Sequence, residues 1–145
     1  MRVWVVIFCG MGLVGCVGVP GPEVRVTQVR QVEASDLGAR FEVSLELDNP
    51  GESPLPLPEA SYRFEVDGVG DYAYLSLPAR VVPPGGRQSL TLPAAIATDG
   101  RSLAERPWSI SGRLQYRPES PLRSFLTETG VPLPVVFFDA RGRLP

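Results

Sequence analysis

An antiparallel β-sandwich of seven or eight strands, like an immunoglobulin or fibronectin type III domain, is the all-β fold class that this chain predicts. Three observations carry it. Apolar and polar residues alternate in run after run. The strictest run is Arg40–Asp48, where Phe41, Val43, Leu45 and Leu47 face one way and Arg40, Glu42, Ser44, Glu46 and Asp48 the other, the period of a strand with one buried face. The runs are punctuated by turn residues drawn from 16 prolines and 15 glycines spread along the chain. The roughly 120 residues left after the N-terminal signal suit one sandwich.

The N-terminus reads as an address. After Met1-Arg2, the stretch from Val3 to Val14 is apolar. It is too short for a bilayer core, which takes about 20 residues, and it fits the hydrophobic region of an export signal. Leu13-Val14-Gly15-Cys16 then resembles the lipobox of bacterial lipoproteins. That resemblance implies cleavage before Cys16, removal of residues 1–15 (Cys9 with them), and acyl chains on Cys16. Val17, where some envelope proteins carry an inner-membrane retention aspartate, points to the periplasmic face of an outer membrane. Residues 16–23 are the lipidated cysteine and a Gly/Pro tether, and the domain occupies residues 24–140.

Val24–Glu33 opens the fold with Val24 and Val26 on one parity, Val29 on the other and Val32 back on the first. A bulge or an edge strand accounts for the shift. Ser35–Gly38 is a turn, so the first strand forms a hairpin with Arg40–Asp48. Asn49-Pro50-Gly51 stops that strand. The Leu-Pro alternation through Pro58 favours an extended path from which Leu55 and Leu57 reach the core. A proline-rich ligand for an SH3-type domain is a poorer reading, because short proline motifs are compositional signals.

Ala60–Val66 alternates again, with Ala60, Tyr62, Phe64 and Val66 inward. Asp67-Gly68-Val69-Gly70-Asp71 reads as a hairpin turn rather than a calcium loop, since calcium needs six or more oxygens and a later carboxylate. Tyr72–Leu77 is the next strand, with Ala73, Leu75 and Leu77 as its alternating apolar set. Val81–Gly86 is a tight connection, and Gln88–Pro93 a strand with Leu90 and Leu92 inward. Ala94–Glu105 is the one helical candidate, of a turn or two, interrupted by Gly100. Trp108–Tyr116 gives the last strong alternation, with Trp108 as a core anchor rather than a ligand platform. Leu122–Thr127 is a short piece, Val131–Phe138 the closing strand, and residues 141–145 a tail whose Arg141 and Arg143 are solvated. The expected core is Phe41, Val43, Leu45, Leu47, Tyr62, Phe64, Leu90, Leu92, Trp108, Ile110, Leu114 and Tyr116.

Composition narrows the chemistry. Formal charge is −2, there is no histidine, and all 14 basic residues are arginine. Without a basic excess there is no nucleic-acid face. Without histidine or lysine, nucleophilic catalysis lacks its usual bases and Schiff-base chemistry has no amine. Cys9 and Cys16 are the only thiols, and neither survives processing free. The expectation is no catalytic, cofactor or metal residue, with Cys16 as the one modified site. The acidic residues sit on outward strand positions.

Asn49-Pro50, Leu55–Leu57, Tyr62–Gly68, Gly85–Pro93 and Gly112–Tyr116 occur in an order that resembles the type 2 late-embryogenesis-abundant (LEA) family, also called the water-stress and hypersensitive-response (WHy) domain. The match covers most of residues 24–138. It implies a structured, non-enzymatic module tied to desiccation and other stress, and it transfers no site residue. The expected function is therefore a membrane-anchored stress-related or general binding module of the cell envelope, with no small-molecule substrate. The alternative is an accessory subunit for envelope assembly or transport that recruits a protein partner by an edge strand, the irregular Val24–Glu33 being the candidate edge.

Overall fold

The computed structural model describes residues 21–119, 125 and 128–145. Residues 1–15, Cys16 and most of the Leu122–Thr127 piece lie outside the described residues. The described chain is all-β, with nine strands: β1 (Glu23–Ala34), β2 (Gly38–Asp48), β3 (Leu55–Leu57), β4 (Glu59–Val66), β5 (Gly70–Ser76), β6 (Arg80–Val82), β7 (Arg87–Ala97), β8 (Pro107–Gln115) and β9 (Val135–Arg143). One antiparallel sheet has the order β1-β2-β7 and the other β5-β4-β8-β9, while β3 and β6 form a two-stranded ladder between Leu55 and Val82.

The strict alternation of β2 lies at the centre of the first sheet. Phe41, Val43, Leu45 and Leu47 are buried, and Ala94, Leu92, Leu90 and Gln88 of β7 stand opposite them. The second sheet supplies Ala60, Tyr62, Phe64 and Val66 from β4, with Ile110 and Leu114 from β8. The Phe41 and Phe64 rings meet across the sandwich at 5.1 Å, tilted by 46°, an arrangement that suits the aromatic quadrupole.

The irregularity of β1 is a pair of bulges. The register slips between Val26 and Gln28 and again between Gln31 and Glu33. Each extra residue resets the side-chain parity. Val24, Val26 and Val29 therefore all oppose inward residues of β2 (Leu47, Leu45 and Val43) and pack on the core.

Several expectations are corrected. The strands number nine among the described residues, because Leu55–Leu57 and Arg80–Val82 pair as β3 and β6 instead of remaining connections. Ala94–Ala97 extends β7, with Ala94 and Ile96 buried, and turns follow it, so Ala94–Glu105 has no helix. On β5 the inward parity belongs to Tyr72 and Tyr74, opposite Phe64 and Tyr62. Leu75 and Leu77 are exposed. Trp108 and Tyr116 pack on the core only half-buried. The closing strand starts at Val135 and runs through Arg143, so the supposed tail is largely strand and Leu144 is buried.

The two sheets share their ends. Glu23, Asp48 and Arg87 lie at the end where the chain enters. Gly21 there approaches the Tyr116 hydroxyl, which continues from β8. The Glu59, Gln115 and Val135 ends of β4, β8 and β9 belong to the same end. At the opposite end Gly70 lies against Ile96, and the Gly68 carbonyl accepts from Arg101.

Candidate binding surface

The outer faces of the two sheets differ in chemistry. On the β1-β2-β7 face every arginine has a carboxylate. Arg25 pairs with Glu46 and Asp48, Arg30 with Glu42 at 2.6 Å, Arg40 with Glu33, and Arg87 with Asp48 at 2.6 Å. Exposed pairs of this kind add little stability, but they coat the face with satisfied charge. The Arg87 hydrogen bond, and the nearby charges of Arg87 and Arg25, hold the Asp48 carboxyl below its usual range despite some desolvation.

The outer face of β5-β4-β8-β9 is built from smaller and more apolar residues. Its cross-strand rows run Leu75–Ser61–Arg113–Phe137 and Ala73–Arg63–Ser111–Asp139. Ser61, Ser111 and Gly112 on the two central strands, flanked there by Arg63 and Arg113, leave a trough between Leu75 and Phe137 at the edges, an open groove of about 720 Å³. Leu75 stands at one side, 52% exposed, and Phe137 at the other, 73% exposed. Arg63 is committed to Asp71 at 3.0 Å. Arg113 donates from Nε to Ser61 Oγ at 3.0 Å and has no carboxylate partner among the described residues.

The groove floor is braced from inside. Gly112 carries no side chain because the Phe138 ring covers its inner face: a Cβ there would lie 2.5 Å from Phe138 Cζ and 2.7 Å from the Ser61 carbonyl. On the core side of the neighbouring strand, the Tyr62 hydroxyl donates to the Pro93 carbonyl across the sandwich. Burial pushes the Tyr62 phenol well above its usual range, with smaller contributions from Tyr72 and Tyr74. Pro93 fits β7 because β7 is the edge of its sheet. Its carbonyl, on the side away from β2, is free to accept.

The acidic residues lie where the alternation put them, on outer faces and loops. Asp71 is the partner of Arg63, and Val69 in the same loop is buried. The Asp67–Asp71 stretch is thus the tip of the β4–β5 hairpin, with Gly68 at φ 67°. Among the described residues no three of His, Cys, Asp and Glu cluster to hold a metal. Cys16 lies outside the described residues.

Leu75 and Phe137 give no surface signal in the sequence, whereas Arg113 falls on the outward parity of the Trp108–Tyr116 alternation and is found there. Leu75 is masked by the Tyr-Ala-Tyr-Leu run, apolar on both parities, and Phe137 by Phe-Phe, where alternation cannot say which ring faces out.

No family model matches the chain, and no curated protein does. Solved structures do. The chain is similar to the solution structure of an Arabidopsis thaliana protein (14% identity, TM-score 0.60, covering 88% of this chain and 83% of that one). It is also similar to the solution structure of a candidate late embryogenesis abundant (LEA) protein (15% identity, TM-score 0.57, 88% and 73%). A crystal structure of a protein from Archaeoglobus fulgidus matches at 10% identity and TM-score 0.53, over 85% and 98%. At these identities the shared property is the fold, an LEA-like antiparallel β-sandwich.

Proposed function

We propose that the chain is a non-catalytic binding module of the cell envelope, a type 2 LEA-like sandwich that acyl chains on Cys16 hold at a membrane, on the periplasmic face of an outer membrane, and that serves tolerance of drying or osmotic stress. The observation that carries the binding role is the groove between the exposed Leu75 and Phe137, floored by Ser61, Ser111 and Gly112 with Arg63 and Arg113 beside them. Sites that recognise partners combine apolar area with a few placed polar groups, and Arg113 is such a group. The non-catalytic part rests on residue chemistry: a chain without histidine or lysine, whose thiols lie only at positions 9 and 16, has no conventional base beside a nucleophile. The stress role draws on the motif order from Asn49 to Tyr116 and on the likeness to an LEA fold. Deleting the gene and scoring survival after drying or osmotic shock tests it, and an unchanged survival curve removes the stress role.

The second reading is an accessory subunit that recruits an envelope protein by an edge strand. The edge that favours it is β5 rather than β1. β1 carries two bulges and Arg25 and Arg30, devices that discourage pairing. β5 pairs only with β4 and has no charge after Asp71. A stoichiometric partner crosslinked in gently solubilised membranes supports this reading, and its absence counts against it.

A further inference from the structure

The exposed apolar side chains are unevenly placed. Six of the eight large ones among the described residues, namely Tyr74, Leu75, Leu77, Val81, Val131 and Phe137, belong to the half of the domain where the chain enters. Leu37 stands at the opposite end, between β1 and β2. Arg80, Arg113 and Arg117 occupy the entry half too, and none has a carboxylate partner among the described residues. On the opposite sheet every outer-face arginine is paired.

We infer that the entry-side half of the outer β5-β4-β8-β9 face, with Leu75, Leu77 and Phe137 as its apolar contacts and Arg113 between them, is a lipid-docking surface that rests on phosphate-bearing headgroups. The inference rests on the Cys16 anchor proposed above. Its support is the chain length between anchor and domain. Cys16 and Gly21 are five residues apart, and five residues reach at most ~18 Å even when fully extended. An acylated Cys16 lies at the membrane, so Gly21, Tyr116 and the strand ends beside them cannot stand far from it. A face held that close, exposing apolar side chains at its rim, gains by burying them ~5–10 Å into the boundary between headgroups and acyl chains. A guanidinium that holds only Ser61 Oγ and has no carboxylate partner among the described residues can lay its stem along the apolar side chains beside it and keep its charged head among phosphates. Leu37 and the loops around it point to the far side and stay in water.

The test uses the full-length, processed protein in vesicles of phosphatidylethanolamine and phosphatidylglycerol with brominated acyl chains, which quench nearby tryptophan. Leu77 and Phe137 are 71% and 73% exposed, so Leu77→Trp and Phe137→Trp leave the core intact. Leu37→Trp is the control, and Trp108 is common to all. The expected result is quenching at positions 77 and 137 beyond that of the unsubstituted chain, and none added at 37. Equal quenching at all three positions, or none at 77 and 137, overturns the proposal. So does a photocrosslinker at position 137 that captures a protein while the lipids fail to quench, since a protein is then the occupant. Mass spectrometry of the same sample reads the acyl chains on Cys16 separately. If they are missing, the anchor reading fails by itself and the face is tested alone. The double variant Leu77→Asp, Phe137→Asp must then sediment with vesicles about tenfold more weakly than the unsubstituted chain, as expected for two apolar contacts replaced by charge. Failure of the unsubstituted chain to sediment, or equal sedimentation of both, overturns the docking surface.

Discussion

Asn49 shows how much one side chain can hold. It is 4% exposed at the end of β2, and its Nδ2 donates to the carbonyls of Ser53 (2.8 Å), Val82 and Pro83, while its Oδ1 accepts from Gly51 N. It thereby ties β2, the turn after it and β6 together. Removing it orphans the buried Val82 carbonyl and takes a partner from three part-buried backbone groups as well. Asn49→Ala should cost about 2–4 kcal/mol in denaturant unfolding, whereas Asn49→Asp should fail to rescue because it removes the donors. Tyr62 makes the link between sheets through Pro93, and Tyr62→Phe should cost about 1 kcal/mol or more. The direction of its pH effect follows from burial. A phenol whose folded pKa is raised above its unfolded value, near 10, stabilises the fold below that value and loses the contribution as pH rises through and above it. Alkaline unfolding should therefore steepen above pH ~10, and less so in Tyr62→Phe. Asp48 has the opposite sign: its pKa is depressed, so its contribution is present above the ordinary carboxylate value of 3.8 and lost as pH falls below it. Asp48→Asn should flatten the acid limb of the stability curve.

Within strands, the period of two decides what a substitution meets. Leu45 is fully buried in β2 and Glu46 beside it faces out, within reach of Arg25 and Arg87. Leu45→Ala should cost about 2–5 kcal/mol, and Glu46→Ala no more than about 0.5–1 kcal/mol. Equal losses measured by thermal or chemical unfolding would contradict the register. In β8, Gly112→Ala pushes a methyl against the Phe138 ring and the Ser61 carbonyl. A ring edge can yield but a backbone oxygen cannot, so a loss of about 1–3 kcal/mol is expected, only partly recovered by adding Phe138→Leu. At this scale the alternation was legible for β2, β4, β8 and the first half of β7 (Arg87–Pro93), where inward apolar residues alternate with outward ones. It failed for β5, where Tyr72, Ala73, Tyr74 and Leu75 are apolar on both parities. Only the pairing with Tyr62 and Phe64 on β4 selects the inner face. The helix expected after Pro93 gave way to strand because Ala94 and Ile96 continue the inward parity of Leu90 and Leu92 opposite Phe41 and Ala39. A partner strand outweighs alanine's local preference.

At the scale of the molecule, two sheets share one core and present different surfaces. One is laced with arginine–carboxylate pairs. The other offers a groove walled by Leu75 and Phe137, with an arginine, Arg113, that has no carboxylate partner among the described residues. If the chain is lipidated, Cys16→Ser should move it from the membrane fraction to the soluble fraction, apart from what the groove face retains, and mass spectrometry should find a mature N-terminus at residue 16. Retention of the serine variant at the parental level would contradict the anchor.

The amino-acid sequence by itself determined the all-β class, the first hairpin, the bulged opening strand and most of the core. Each of these depends on local periodicity and on turn residues that act within a few positions. Ten of the twelve expected core residues are buried. The exceptions, Trp108 and Tyr116, lie at the two ends of the β8 run and pack on the core only partly buried. Tertiary structure alone decided the rest. Short β3 and β6 exist only because they pair with each other across more than twenty intervening residues. Arg141 and Arg143 are strand residues because β8 has an edge to fill. Leu75 and Phe137, far apart in the chain, become the two walls of one groove only when β4 and β8 come between them, since a shared row across a sheet is a property of register that no single segment contains.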